Sequence, residues 1–352
     1  MRIIVDIKRC IKCALQNLCI RILNFGGTSD CSDEVVLIDT SIGTSNIGDE
    51  IIMLYVRKAL SEIIQVDGLY RISSHIVPSY YDIQRMIHAK MVLICGTNIL
   101  APQMEINSNW AFDNRMIKMR NAVLIGCGWK GYKRISAYSK YVYNNVLSKH
   151  AIHSVRDNQT VSELNKIGVT NVLNTNCITM WGLDKISVLI PIHKAQEVVF
   201  TLNSSNRSEK DIQMIDVLCK NYRKVFFFPQ GKNDLSYYKE IASDRPFDIV
   251  VINRSLERYT KLLSEKDIDY VGIRLHGGIH ALHYKRRSII VAIDNRATEM
   301  AKGTNLPIIK RGNINELDDM INSTWRTNIK LNNDNIAVWK KRMIYQINGA
   351  GK

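Results

Sequence analysis

Two residues suited to holding an anion, Arg274 and His276, lie where an apolar stretch ends and a glycine pair begins. The pattern predicts a strand that ends near residue 271 and a helix that opens at Gly277-Gly278. Backbone N–H groups and the helix dipole favour anions at such a position. Arg grips carboxylate or phosphate with parallel hydrogen bonds, and His holds or moves a proton near neutral pH. The sequence therefore predicts a site for a small dianion that carries both groups.

Arg156 occupies a similar position earlier in the chain. It follows the short predicted strand 152–155 and precedes a predicted helix. The carboxyl end of a parallel strand faces the edge where α/β proteins bind ligands, so Arg156 is predicted to be a second anion clamp. Asp157 is expected to cap the helix and to orient Arg156.

A structural interpretation stays open for both arginines. Arg274 can pair with a structural Asp while His276 caps its helix. Arg156 and Asp157 can likewise form a plain cap pair at the surface.

Strands and helices alternate through both halves of the chain, which at 352 residues is long for one domain. This alternation predicts an α/β protein with two facing Rossmann-like domains, each with a mainly parallel sheet. The predicted divisions are a basic amphipathic segment at 1–30, the two domains at 31–185 and 190–325, and a C-terminal helix within 326–352.

Three motifs carry a resemblance to a known family. They are Gly272-Ile-Arg-Leu-His-Gly-Gly-Ile-His-Ala281, Asn46-Ile-Gly-Asp49 and Val155-Arg-Asp157, in that family's order. The chain resembles the polysaccharide pyruvyl transferase family over roughly 35–306. The resemblance implies a fold like that of two-domain GT-B glycosyltransferases, with the C-terminal helix crossing back to the first domain. It also implies transfer of the enolpyruvyl unit of phosphoenolpyruvate onto a sugar, as a ketal.

The resemblance implies roles for the motif residues. His276 would donate a proton or stabilise the departing phosphate, and Asp49 would assist a sugar hydroxyl, although an Asp near a helix start is often only a cap. Phosphoenolpyruvate would be bound on the second domain and across the cleft by Arg274, Arg156, Leu275 and Gly277. Apart from the resemblance, loops that follow predicted strands are expected to line the cleft or to bind the acceptor. Their candidate residues are Asn46, Gly48, Asn98, Trp129, Asn203 and Gln230. The scheme requires no metal and no cofactor beyond phosphoenolpyruvate as the donor substrate.

One stretch departs from the family pattern. The run Lys285-Arg286-Arg287-Ser288 replaces a Gly-x-Pro turn. We interpret it as a changed surface turn.

The chain is basic, with a formal net charge of +15, which indicates anionic partners such as phosphorylated substrates, anionic lipid or nucleic acid. Eight Lys or Arg and no acid lie between Arg115 and Lys149, interleaved with four tyrosines. A solvated helix face with packing tyrosines is the favoured interpretation. A basic shoulder that faces a membrane or a pyrophosphate-linked lipid is an alternative, and nucleic-acid binding is disfavoured.

The first 25 residues have apolar side chains on one helical face and basic ones mostly on the other. Such a helix can lie on an anionic membrane or pack on the protein's own core. The eight Cys follow no secretory signal, which favours a reduced, cytoplasmic location, with the inner face of the plasma membrane as an option. A metal site at Cys10, Cys13, Cys19 and Cys31 is disfavoured, because the second pair lacks the short spacing of zinc sites.

Other functions remain as alternatives. The first is a GT-B glycosyltransferase that uses a nucleotide sugar, and the second is a non-catalytic binder of nucleic acid or anionic lipid. The segment 126–131 fits the dinucleotide pattern GxGxxG, but no acidic residue follows about 20 residues later, so NAD is rejected. A metal site at His276, His280 and His283 is disfavoured because Arg274 would repel a cation.

Overall fold

The computed structural model describes residues 33–348, except 244 and 246. The predicted amphipathic segment at 1–30, its membrane contact through 1–25 and the cysteines up to Cys31 lie outside the described residues. Within the described part, no helix is long and apolar enough to cross a membrane.

The first half contains a parallel sheet in the order β2-β1-β3-β4. Its strands are β1 (Val35–Asp39), β2 (Tyr70–Ser73), β3 (Met91–Cys95) and β4 (Ala122–Ile125). Strands β1, β3 and β4 are buried along their whole length, as expected for continuous apolar runs covered by helices on both faces. The helices are α1 (Ile47–Leu60), α2 (Tyr80–His88), α3 (Ala137–Val146) and α4 (Asn158–Lys166).

Two short parallel strands follow, β5 (His153–Val155) and β6 (Val172–Asn174). A single bridge between Cys127 and Val155 joins this pair to the end of β4. Position 156 is therefore brought beside the loop that follows β4.

The second half contains a six-stranded parallel sheet in the order β12-β11-β10-β7-β8-β9. Its strands are β7 (Glu197–Thr201), β8 (Lys224–Phe227), β9 (Ile249–Val251), β10 (Ile268–Gly272), β11 (Ser288–Ala292) and β12 (Ile308–Lys310). The helices from the connection onward are α5 (Leu183–Ile186), α6 (Lys210–Asn221), α7 (Asp234–Ala242), α8 (Leu256–Glu265), α9 (Leu275–His283), α10 (Asn295–Thr304), α11 (Leu317–Asn322) and α12 (Asn333–Asn348). The predicted fold class, two facing α/β domains with parallel sheets, is confirmed.

Two helices join the halves. Ile47, Ile51 and Tyr55 of α1 lie in one apolar cluster with residues of α9. Trp339 of α12 is fully buried in the cluster that covers β1 and β3, and its Nε1 donates to Ile152 O at 3.0 Å. The helix after β1 thus packs against the helix after β10, and α12 packs on the first domain.

The turn before β11 differs from its prediction. Arg287 is 1% exposed, lies 4.5 Å above the Trp325 ring and donates to the carbonyls of Met320 and Ser323. The interpretation of this turn as a surface turn is wrong for Arg287, because its guanidinium satisfies carbonyls at the end of α11 and also reaches Asp269 at 3.4 Å.

The basic stretch between Arg115 and Lys149 has a mixed character. Tyr143 is buried, whereas Tyr132 and Tyr141 are 69% and 57% exposed. The tyrosines of this stretch therefore do not act uniformly as packing residues.

Candidate active site

Arg274 follows the end of β10 and immediately precedes α9. Its Nη2 donates to both oxygens of Asp234 at 2.7 Å, and its Nε donates to Leu202 O at 2.9 Å. Asp234 is fully buried and also accepts from Gly231 N at 2.7 Å. The pairing of Arg274 with a structural Asp is therefore present, and it fixes the guanidinium while these bonds leave Nη1 for other partners.

His276 lies in the first turn of α9. The N-cap residue of this helix is Arg274, so His276 does not cap it. His276 is 6% exposed, and its Nε2 lies 4.0 Å from Cys177 Sγ. Burial, followed by the charges of Arg296 and Arg156, lowers the pKa of His276 to about 3. The imidazole is therefore neutral near pH 7.

Arg156 is the most deeply buried cation of this region, at 2% exposed. Its Nε donates to Asp157 at 3.1 Å and its Nη2 donates to Asn98 Oδ1, whereas Nη1 is buried without a hydrogen-bond partner among the described residues. A Cβ at Gly128 would collide with the guanidinium of Arg156, so a larger residue there would displace the guanidinium from its present position. Asp157 caps α4 through Thr160 N and orients Arg156, as the sequence predicts.

The two domains bring these groups together. Arg156, from the first domain, lowers the pKa of His276, which belongs to the second. Arg296, in the first turn of α10, also lowers the pKa of His276. Its Nη2 donates to Asp294 Oδ2 at 2.6 Å. The sequence analysis gave Arg296 no role. Its place after the apolar strand β11 is the same signal that singled out Arg274.

The Asn46 loop docks onto the loop that follows β8. Asn46 Oδ1 accepts from Gly48 N at 3.1 Å and from Gln230 Nε2 at 3.2 Å, and Ile47 N donates to Gln230 O at 3.0 Å. Gln230 Oε1 is buried without a partner in the described part, and a Cβ at Gly277 would lie 2.8 Å from it. Four predicted site residues thus form one cluster that closes the domains on each other.

Asp49 has a partner that the sequence analysis missed. Its Oδ2 accepts from Thr44 Oγ1 at 2.6 Å and lies 3.7 Å from Nε2 of the half-buried His75. The carboxylate of Asp49 raises the pKa of His75. The missed signal is position, since His75 follows β2 at the carboxyl edge of the first sheet.

The remaining predicted residues lie in different surroundings. Asn98 is buried and bonded to Arg156. Trp129 is buried in the apolar core of the first domain, and its Nε1 has no hydrogen-bond partner among the described residues. Asn203 is buried and its Oδ1 accepts from Ser205 N at 3.1 Å. Leu275 lies in the apolar cluster between α1 and α9.

The two later histidines of α9 are engaged by protein groups. His280 lies 2.9 Å from Tyr55 Oη and 3.0 Å from Thr260 Oγ1. His283 Nε2 lies 2.7 Å from Thr179 O, and its ring stacks on Tyr55. Within residues 33–348 as described, no group of three or more His, Cys, Asp or Glu residues is placed to hold a metal ion.

Comparison with known proteins gives one family. The model of the family described as polysaccharide pyruvyl transferase matches residues 46–295, which include all three sequence motifs. No curated protein matches the chain.

Two solved structures are similar at low identity. One is the UDP-GlcNAc 2-epimerase of Methanocaldococcus jannaschii in complex with UDP-GlcNAc and UDP, with 9% identity, a TM-score of 0.46, and coverage of 87% of this chain and 97% of that chain. The other is the wall teichoic acid polymerase TagF with CDPG, with 11% identity, a TM-score of 0.43, and coverage of 97% of this chain and 92% of that chain.

Proposed function

The chain belongs to the polysaccharide pyruvyl transferase family, and from that premise we propose that it moves the pyruvyl group of phosphoenolpyruvate onto a sugar as a ketal. The observation that supports this reaction most is that the charge of Arg156 acts on His276 across the domains. Arg156 presents a buried guanidinium with an Nη1 that has no partner among the described residues, and the imidazole on which it acts is neutral. A buried cation with an unused donor is stabilised by a bound anion.

Binding comes first in the proposed mechanism. Arg156 Nη1, Arg274 Nη1 and the start of α9 hold the carboxylate and phosphate of the donor. The dianion adds negative charge beside His276, which raises the pKa of the imidazole. His276 therefore gains its proton when the donor binds, and a general acid forms only in the loaded site.

The reaction begins with a proton transfer. His276 gives its proton to the methylene carbon of the donor, which becomes a methyl group and makes the neighbouring carbon electrophilic. One sugar hydroxyl oxygen bonds to that carbon and gives its proton to Asp49, with His75 beside it. The bond to the phosphate oxygen then breaks, a second hydroxyl closes the ketal, and its proton leaves with the phosphate. Fixed charges aimed at the departing phosphate supply most of the rate in such a scheme.

We also propose that the acceptor is a sugar of a polysaccharide or of its lipid-linked precursor, met in the cytoplasm at the inner face of the plasma membrane. The net charge of +15 supports this location, because anionic lipid attracts basic proteins.

A thermal-shift titration tests the donor. We expect phosphoenolpyruvate to raise the unfolding midpoint of the wild-type protein by mass action, and Arg274→Ala to lose most of that shift. Transfer to a sugar acceptor, followed as release of inorganic phosphate, then tests the reaction. A shift with a nucleotide sugar and none with phosphoenolpyruvate would replace this proposal with the glycosyltransferase alternative.

A further inference from the structure

Lys130 has no role in the reaction described above, although it stands at the mouth of the same cleft. Its backbone is fixed, because Lys130 N donates to Leu100 O at 2.8 Å and Gly128 N donates to Thr97 O at 2.9 Å. These bonds tie the loop after β4 to the loop after β3. The half-buried side chain therefore starts from a rigid position.

The ammonium group of Lys130 is held by neutral groups. Its Nζ lies 2.7 Å from Asn107 Oδ1 and 3.3 Å from Asn109 Oδ1. In the described part of the chain, no carboxylate lies within ion-pair distance of this ammonium. Lys carries three N–H donors, so the two amide oxygens leave one donor for a ligand.

The surroundings of Lys130 disfavour its charged form. Burial, and then the charge of Arg296, lower the pKa of Lys130. A half-buried ammonium beside another cation, with only amide acceptors, is stabilised strongly by an anion.

Hydrogen bonds connect Lys130 to Arg156. Asn109 Nδ2 donates to Asn98 O at 3.3 Å, and Asn98 Oδ1 accepts from Arg156 Nη2. The amides thus join a half-buried cation at the rim to the buried guanidinium with the unpartnered Nη1.

Three cations therefore belong to one region of the cleft. Arg156 is paired with Asp157 and Arg296 with Asp294, so each of these charges has a counterion. Lys130 supplies the positive charge without one. Arg296 acts electrostatically on both Lys130 and His276, so its charge links the Lys130 loop to the buried imidazole.

We propose that Lys130 forms a phosphate subsite with Arg156 and Arg296. Its ligand is the phosphate group of the donor and, after transfer, the inorganic phosphate that leaves. The identification of this ligand as the donor's phosphate rests on the proposed function. The anion site itself rests only on the contacts above. In this arrangement the departing phosphate passes from the buried Arg156 to the half-buried Lys130 on its way to solvent.

The test is calorimetric titration with inorganic phosphate at constant ionic strength. Lys130→Met is compared with wild type and with Lys133→Met, which removes an exposed positive charge from the same loop. We expect Lys130→Met to weaken phosphate binding roughly tenfold or more, because a charge-assisted hydrogen bond is lost. Lys133→Met should change it less than about twofold, as for a screened surface charge.

Two further variants separate charge from folding. Lys130→Arg keeps the charge and should retain most of the phosphate affinity, whereas Lys130→Gln should lose it. The unfolding midpoint of each variant without phosphate shows that the fold is intact. Equal phosphate affinity in wild type and Lys130→Gln, or no phosphate binding by wild type, would overturn the subsite.

Competition identifies the source of the phosphate. If inorganic phosphate and phosphoenolpyruvate compete, the subsite belongs to the donor. If both bind at once, the donor assignment is wrong and the subsite takes a phosphate carried by the acceptor. Binding of phosphate that depends on Lys130, without any pyruvyl transfer, would retain the anion site and refute the proposed function.

Discussion

Helix α9 carries one histidine in its first turn and another one turn later, and the two side chains have different hydrogen-bond partners. His276, at the start of the helix, is buried with a cysteine sulfur at 4.0 Å as its neighbour. His280, one turn later, has a hydroxyl at each ring nitrogen, Tyr55 at 2.9 Å and Thr260 at 3.0 Å. Burial lowers the pKa of both to about 3.

The difference lies in what the neighbours can do with each ring. His280 completes a hydrogen-bonded contact between α1 and α9, so its nitrogens are used for folding. His276 faces Arg156 and Arg296, whose charges oppose its protonation. A buried polar group with weak protein partners is retained when a ligand completes its bonds. The pKa values are alike, so the partners and not the titration distinguish the functional end from the structural end.

The largest expected effect is on catalysis at the start of the helix. His276→Asn should lower the rate of pyruvyl transfer by about 10²–10⁴-fold, the usual contribution of a positioned acid or base. The unfolding midpoint should change by only a few degrees, because few hydrogen bonds are lost. Phosphate release and thermal unfolding measure the two quantities. Transfer within tenfold of wild type would remove His276 from the chemistry.

The next effect is on stability at the other end. His280→Ala should cost about 1–3 kcal/mol, because it leaves the hydroxyl of the buried Tyr55 without its partner. Denaturant unfolding gives this value, and Tyr55→Phe is the matched control, since it removes the hydroxyl at the same contact. Pyruvyl transfer per folded molecule should stay near the wild-type rate. A variant with wild-type stability would show that this contact between the domains is not needed.

The local features of the site could be predicted from the sequence. Arg156 with Asp157, and the strand and helix around Arg274, depend on apolar runs and caps only a few residues apart. The pairing of Arg274 with Asp234 joins β10 to the helix after β8, and those strands are neighbours only through β7.

The missed partners have the same physical origin. His75 meets Asp49 because β2 pairs with β1, and Arg287 is buried because α11 packs under the start of β11. Sheet order and helix packing decide such contacts, and a single sequence does not contain either. The orphaned Nη1 of Arg156 is likewise visible only once Asn98 and Asp157 have taken the other donors.

The smallest expected effect concerns acid stability and again separates the two ends. The pKa of His276 is about 3 in the folded protein, against about 6.5 in an unfolded chain. Below pH 6.5 the unfolded state binds the extra proton, so wild type loses up to about 1.4 kcal/mol per pH unit from this group. Asn does not titrate. The free energy of unfolding of His276→Asn should therefore be close to that of wild type at pH 8 and higher by about 1–2 kcal/mol near pH 5.

His280→Ala should behave differently in the same series. It removes a histidine whose buried neutral form costs the same stability in acid, but it also removes a hydrogen bond. His280→Ala should therefore be less stable than wild type at pH 8, and this difference should shrink toward pH 5. Any gain over wild type at pH 5 should be smaller than that of His276→Asn. Urea unfolding at pH 5, 6.5 and 8 gives the three curves. If His276→Asn follows wild type down to pH 5, the pKa of His276 is the same in the folded and unfolded states, and the imidazole titrates near pH 6.5 without the donor. Part of the His276 population would then carry a proton near neutral pH before the donor binds, and His276 and His280 would differ in their pKa values as well as in their hydrogen-bond partners.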